Sequence, residues 1–79
     1  MTDYPVIDFK ATGRHIRKLR IDNGYTVESI KKYLGLQSEQ AVYKWQRGET
    51  MPTIDNLYAL SKLFNTTIDN IIVPEERFM

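Results

Sequence analysis

Seventy-nine residues with no cysteine and a formal charge of +1 make one small domain held by its own core, since neither disulfides nor thiolate zinc sites can staple it. A hydrophobic content of 42% suffices for a helical unit, and no apolar run approaches the length of a membrane span or a signal-peptide core. The expectation is a soluble, cytoplasmic chain without a membrane partner. The net charge says little about partners, but its distribution is uneven. Residues 1–48 carry nine Lys/Arg against five Asp/Glu, and residues 49–79 carry two against five. A basic half joined to an acidic half suits a chain that turns one face to phosphate, although chance variation on a solvated surface gives the same imbalance.

In chain order, Tyr4-Pro5-Val6-Ile7-Asp8-Phe9 alternates weakly, and Pro5 limits it to an edge strand or an extended arm covering residues 1–11. Thr12 is expected to cap a first helix running to Asn23, with Ile16 and Leu19 inward and Gly24 as its stop. Its outer face holds Lys10, Arg14, Arg17 and Lys18. Thr26 caps a second helix, Val27 to Leu34, with Val27, Ile30 and Leu34 inward, Glu28 suited to the helix dipole, and Gly35 ending it.

A short connection through Leu36-Gln37 leads to Ser38, expected to cap a third helix that Gly48 closes. Ala41, Val42 and Trp45 form its apolar seam, while Glu39, Gln40, Tyr43, Lys44 and Arg47 make a row of hydrogen-bonding groups outside it. A helix this short is unstable alone. Held by three anchors and presenting polar side chains outward, it suits an element inserted in a DNA groove, although any solvated helix carries such a row. Met51-Pro52 then lead to Thr53, the cap of a fourth helix from Ile54 to Phe64. Its Leu57, Tyr58, Leu60, Leu63 and Phe64 are expected at the centre of the core, and Trp45 and Tyr58 read as packing residues. Thr67 caps a brief fifth helix, Ile68 to Ile72, and the tail 74–79 shows no periodicity.

Helix two, a turn containing Gly35 and helix three make a helix-turn-helix by spacing alone. With those residues in place the chain resembles the Cro/CI-like, xenobiotic-response-element (XRE) type of helix-turn-helix family found in bacterial and phage regulators. The likeness runs from residue 13 to 73. It is carried by Gly13-Arg14-His15-Ile16-Arg17-Lys18-Leu19-Arg20, Gly24-Tyr25-Thr26-Val27-Glu28, Leu34-Gly35-Leu36, Ser38, Gln40-Ala41-Val42, Lys44-Trp45, Arg47-Gly48, Pro52-Thr53, Leu57-Tyr58-Ala59-Leu60-Ser61-Lys62-Leu63-Phe64 and Ile68-Asp69. The resemblance implies an all-α, five-helix, lambda-repressor-like domain over residues 12–73. It further implies a cytoplasmic, bacterial or phage-encoded regulator, such as a repressor, that binds double-stranded DNA as a homodimer on a palindromic operator.

Carried over by position, the base-reading candidates are Glu39, Gln40, Tyr43 and Lys44, with Ser38 at the cap. Gln40 can pair with adenine, Lys44 can donate to guanine, and Glu39 can accept from cytosine. The phosphate candidates are Thr26, Val27 through its backbone amide, Arg47 and Thr50. The same geometry turns much of the Arg14/Arg17/Lys18 cluster away from the duplex. Three positions depart from the family pattern. Val27 stands where glutamine commonly grips a phosphate, Lys31 where a small residue is usual, and Gln46 where a glutamate often pairs with the arginine at position 20. A neutral amide at 46 accepts a hydrogen bond without supplying charge.

No nucleophile–base pair, glycine-rich phosphate loop or metal cluster appears, and His15 is the lone histidine, so neither catalysis, cofactor, metal nor small-molecule ligand is expected. A different function on the same fold is an antitoxin or adaptor that holds a protein partner. Such a role calls for exposed apolar area, which Ile71, Ile72, Val73, Phe78 and Met79 would supply; the same segment is the expected dimer contact. With no sensor segment after the domain, regulation is expected through concentration, self-association or a partner.

Overall fold

A computed structural model describes residues 4–76 as five helices in chain order: α1 (Phe9–Asp22), α2 (Val27–Leu34), α3 (Gln40–Arg47), α4 (Ile54–Leu63) and α5 (Ile68–Ile71). Three of the expected caps hold. The hydroxyls of Thr26, Thr53 and Thr67 accept from the backbone N–H three residues on, at Ser29, Asn56 and Asn70. Thr26 is joined by Ser29, whose own hydroxyl accepts from the Thr26 N–H at 2.9 Å, which closes a capping box.

The first helix departs from expectation. Its cap is Asp8, whose carboxylate accepts from the Ala11 N–H at 2.9 Å, so α1 begins at Phe9. Thr12 lies inside the helix and is wholly buried. Its hydroxyl donates to the Val73 carbonyl at 3.4 Å and accepts from the Val73 N–H at 2.9 Å. Either residue is chemically able to cap. The contest is settled by the tail, which needs a buried partner for Val73 and takes Thr12 for that purpose. The tail also gains a partner in the arm. Asp8 N–H donates to Val73 O and Glu75 N–H to Val6 O, both at 2.8 Å, around an antiparallel bridge between Ile7 and Pro74. Pro5 does not interrupt this pairing because it precedes it.

Thr12→Val keeps the shape of the side chain but leaves the partly buried Val73 N–H without its acceptor. An orphaned donor of this kind costs about 1–3 kcal/mol. We expect a lowered urea midpoint with an unchanged slope; an unaltered midpoint would contradict the role given to Thr12.

The core is built from Ile16 of α1, Val27 and Ile30 of α2, Val42 and Trp45 of α3, Leu57, Leu60 and Phe64 around α4, and Ile71 of α5. Each such side chain contributes on the order of 1.5–3 kcal/mol of transfer free energy. Leu19, Leu34, Leu36 and Leu63 pack partly buried against them. Tyr58 does not join this core, contrary to expectation: it is 58% exposed. Helix α4 is apolar on more of its circumference than the core can cover. Leu57, Leu60 and the small Ser61 take the inward arc, with the Ser61 hydroxyl satisfied by the Tyr58 carbonyl at 2.6 Å.

The expected apolar C-terminal surface is also corrected. Ile71 is fully buried, Ile72 and Val73 are half-buried, and Phe78 and Met79 lie outside the described residues.

Helices α1 and α3 pack against each other more extensively than any other pair. Gly13 makes this approach possible. A Cβ there would stand 2.2 Å from the Trp45 carbonyl oxygen and 2.7 Å from that of Gln46.

Candidate nucleic-acid interface

Helix α3 is eight residues long, too short to persist in isolation. Val42 and Trp45 bury its inner face, α1 supports it along Gly13, and Gly48 ends it in the left-handed conformation at φ 76°. That glycine serves twice, since a Cβ would also meet the Lys10 Cα at 2.7 Å. The C-terminal half of α3 is therefore fixed to α1.

The side chains opposite this seam are Gln40, Tyr43, Lys44 and Arg47, all exposed. Their spacing of three, four and seven residues puts them on one stripe of the helix. Ser38 and Glu39 differ from expectation. The residue at the cap position is Glu39, with helical backbone angles and no side-chain cap, because its φ and ψ already continue the helix. Ser38 still serves the first turn from one residue upstream, accepting from the Gln40 N–H at 3.3 Å. Glu39 is half-buried on the flank of the helix that also holds Gln46, away from the centre of the polar stripe.

The buttress behind the stripe has the form that the sequence suggested. Arg20 Nε donates to Gln46 Oε1 at 2.9 Å, and Arg20 Nη1 donates to the Tyr25 carbonyl at 2.8 Å. One guanidinium thus ties α1 to α3 and to the loop before α2. Because the acceptors are an amide and a carbonyl, this tie carries no titrating partner. Lys31 is half-buried in the last turn of α2, where a cation suits the helix end.

Of the remaining candidates, Thr26 is exposed at the start of α2. Its hydroxyl accepts from Ser29 N–H and keeps its own proton for an anion. Val27 is buried, so its side chain is committed to the core and only backbone groups remain for a ligand. Thr50 is exposed in the loop after α3.

Glu49 escaped the sequence reading. It pairs with Arg47, Nε to Oε2, at 2.5 Å, with both side chains about half exposed. The hydrogen bond from Arg47 holds the Glu49 carboxyl below its ordinary range and raises the Arg47 guanidinium. The pair is therefore formed at neutral pH and is lost only as acidification passes the lowered Glu49 value. The signal available in the sequence was two opposite charges two residues apart across a helix-ending glycine. Helix spacing rules do not cover that geometry.

Two short helices, α2 and α3, joined across Gly35–Glu39 and locked by a shared core, define a helix-turn-helix protein. The sequence profile of the helix-turn-helix family matches residues 16–71, and the chain belongs to that family, in its Cro/CI-like, XRE-type branch. It is similar to the HTH-type transcriptional activator BcrR of Enterococcus faecalis, at 33% identity over 61 residues. That alignment covers 77% of this chain and 29% of the activator, so the chain spans less than a third of that relative's length. Among solved structures it is similar to the P22 c2 repressor, crystallised in complex with synthetic operator 9T. The TM-score is 0.69 at 33% identity, over 76% of this chain and 89% of that one. The restriction-modification controller protein C.AhdI from Aeromonas hydrophila has the same fold. Its TM-score is 0.71 at 22% identity, over 81% of this chain and 96% of that one. No helix among the described residues is long and apolar enough to cross a membrane.

Proposed function

We propose that this chain is a DNA-binding transcriptional regulator that inserts α3 into the major groove and acts in the cytoplasm as a homodimer on a palindromic operator. The observation that carries this reading is the exposed stripe of Gln40, Tyr43, Lys44 and Arg47 on a helix whose opposite face is anchored by Val42, Trp45 and the Arg20–Gln46 tie. A recognition helix needs this combination, because side chains can discriminate bases only when the backbone beneath them does not yield. The relatives support it: one is named as a transcriptional activator and another was crystallised with its operator.

In this reading Gln40 and Lys44 read base edges, and Tyr43 offers a hydroxyl and a ring face to a thymine methyl or a phosphate. Ser38 and Glu39 approach the groove from the edge of the stripe. Thr26, the Val27 amide, Arg47 and Thr50 hold phosphates on either side and so set the register. Glu49 opposes the last of these tasks by occupying Arg47. Glu49→Gln releases that guanidinium and removes a negative charge from the duplex-facing loop. We expect tighter binding to any duplex at fixed salt, because Arg47 no longer shares its donors with Glu49 and a repulsive charge is gone. Equal affinities of the two proteins for a random duplex at that salt concentration would refute the competition.

The reading as a whole is tested by selecting duplexes from a random library. An enriched palindrome with half-sites about one helical turn, ~34 Å, apart is the expected result. Recovery of no sequence above the input frequency at low salt would overturn it.

A further inference from the structure

Helix α1 carries three cations on one face that pair with no acid among the described residues. Lys10, Arg14 and Arg17 are all exposed, and their spacing of four and three residues sets them on a single stripe. The carboxylates near the start of that stripe are committed elsewhere. Asp8 caps the helix through the Ala11 N–H, and Glu49 in the adjoining loop holds Arg47. Lys18 is different: at about 100° per residue it points some 40–100° further round the helix, and it is taken by Asp22 at 2.6 Å. The resemblance implies that much of this basic cluster turns from the duplex; that implication is kept here for Lys18 alone.

The stripe adjoins α3. Gly13 faces the Trp45 and Gln46 carbonyls, and Gly48 lies so close to α1 that a Cβ there would stand 2.7 Å from the Lys10 Cα. Around α1, Arg17 and Lys10 are only about 40° and 60° from the Gly13 direction, while the buried Thr12 and Ile16 lie on its other side. The stripe therefore runs along the solvent side of the seam between α1 and α3 and begins where α3 ends. We infer that Lys10, Arg14 and Arg17 form a track for the duplex phosphates that flank the half-site read by α3.

The inference rests on the DNA-binding reading above and extends it to residues outside the recognition helix. In that reading the front of α3 meets bases, and Arg47 and Thr50 at its far end meet phosphate. Gly48 holds the Lys10 backbone against this same end, so the strand gripped there continues past Lys10 toward Arg14 and Arg17. From Lys10 to Arg17 the stripe is about 10 Å long, the rise of roughly three nucleotides along one strand. A protein partner fits it less well. Its one large apolar side chain is Ile21, 48% exposed at the far end, whereas a protein interface has an apolar centre. A row of unpaired cations without such a centre suits a polyanion. The footprint is then longer than the bases read by α3, and affinity depends on the length of the flank and not on its sequence.

The test is a salt titration of the full chain on a long duplex of random sequence, with Lys10→Gln, Arg14→Gln, Arg17→Gln and Lys18→Gln as single variants. Glutamine removes the charge but keeps the Cβ and Cγ, so the packing of position 10 against Gly48 survives and helical circular dichroism should not change. Each of the first three variants is expected to flatten the slope of log K against log salt by about 0.9 unit. Lys18→Gln removes the same charge from the same helix and is expected to leave the slope unaltered. A second titration uses the operator recovered by selection, with and without flanking base pairs. Removing the flanks is expected to flatten the wild-type slope by about two to three units, and to leave that of the triple variant Lys10→Gln/Arg14→Gln/Arg17→Gln unchanged. Stripe variants as steep as the wild type overturn the inference and assign the stripe to an acidic protein. An equal loss in Lys18→Gln, or a wild-type slope indifferent to the flanks, also overturns it, and all three outcomes leave DNA binding by α3 intact. A chain that binds no duplex at low salt overturns the DNA-binding reading and this inference with it.

Discussion

Gly13→Ala is expected to lower the thermal midpoint of this domain by about 8–16 °C, although alanine is the better helix former. In an open helix the substitution would stabilise by up to about 1 kcal/mol. Here the added methyl would sit 2.2 Å from the Trp45 carbonyl oxygen and 2.7 Å from that of Gln46, and both are backbone atoms that no rotamer change can withdraw. Relief requires α1 and α3 to separate. Separation by a fraction of an ångström stretches the Arg20–Gln46 hydrogen bond from 2.9 Å and loosens Trp45 and Val42, which close the core beneath α3. Overpacking costs about 1–3 kcal/mol, and a methyl held 2.2 Å from a backbone oxygen falls at the upper end, so about 2 kcal/mol remains after the gain in propensity. At about 4–8 °C per kcal/mol for a domain of this size, the net loss gives the stated shift. Thermal unfolding by circular dichroism measures it. A midpoint equal to or above the wild-type value would show that the two helices are not held at this distance.

The same residue illustrates where sequence reading succeeds and where it stops. Gly13 enters the sequence argument as one letter of a motif; its reason lies 32 residues away, in the carbonyl of Trp45. Local signals carried most of the fold. Thr26, Thr53 and Thr67 each cap as expected because a cap depends on the next three residues. Gly24, Gly35 and Gly48 end their helices at positive φ for the same reason. The start of α1 was misread because Asp8 and Thr12 are equally competent caps, and the choice was made by Val73 at the far end of the chain. Tyr58 was misread because α4 offers apolar residues on three sides and periodicity does not say which the core will take. For the interface, the polar stripe of α3 was readable from spacing. The Arg47–Glu49 pair was not, since it forms across a turn with no fixed geometry in the sequence.

Gln40→Ala and Lys44→Ala are each expected to remove preference for the operator at one base position while leaving the fold and most general DNA affinity in place. Both side chains are exposed and neither forms a hydrogen bond or ion pair among the described residues, so truncation should disturb no packing. A well-placed base contact is worth about 1–3 kcal/mol, or roughly 5- to 150-fold in discrimination against the wrong base. Arg47→Ala or Thr50→Ala should behave differently. A lost phosphate contact weakens all sequences alike and, where a charge is removed, flattens the salt dependence by about one unit. Competition binding at fixed salt, repeated at a second salt concentration, separates the two classes. Gln40→Ala should lower the ratio of specific to random affinity without changing the slope. Lys44→Ala should lower the ratio and, with a charge lost, also flatten the slope, and Arg47→Ala should flatten the slope with the ratio unchanged. If all four variants lowered both affinities equally, α3 would be contributing charge and not sequence recognition. The assignment of Gln40 and Lys44 to base edges would then fail, even though the helix still faced the duplex.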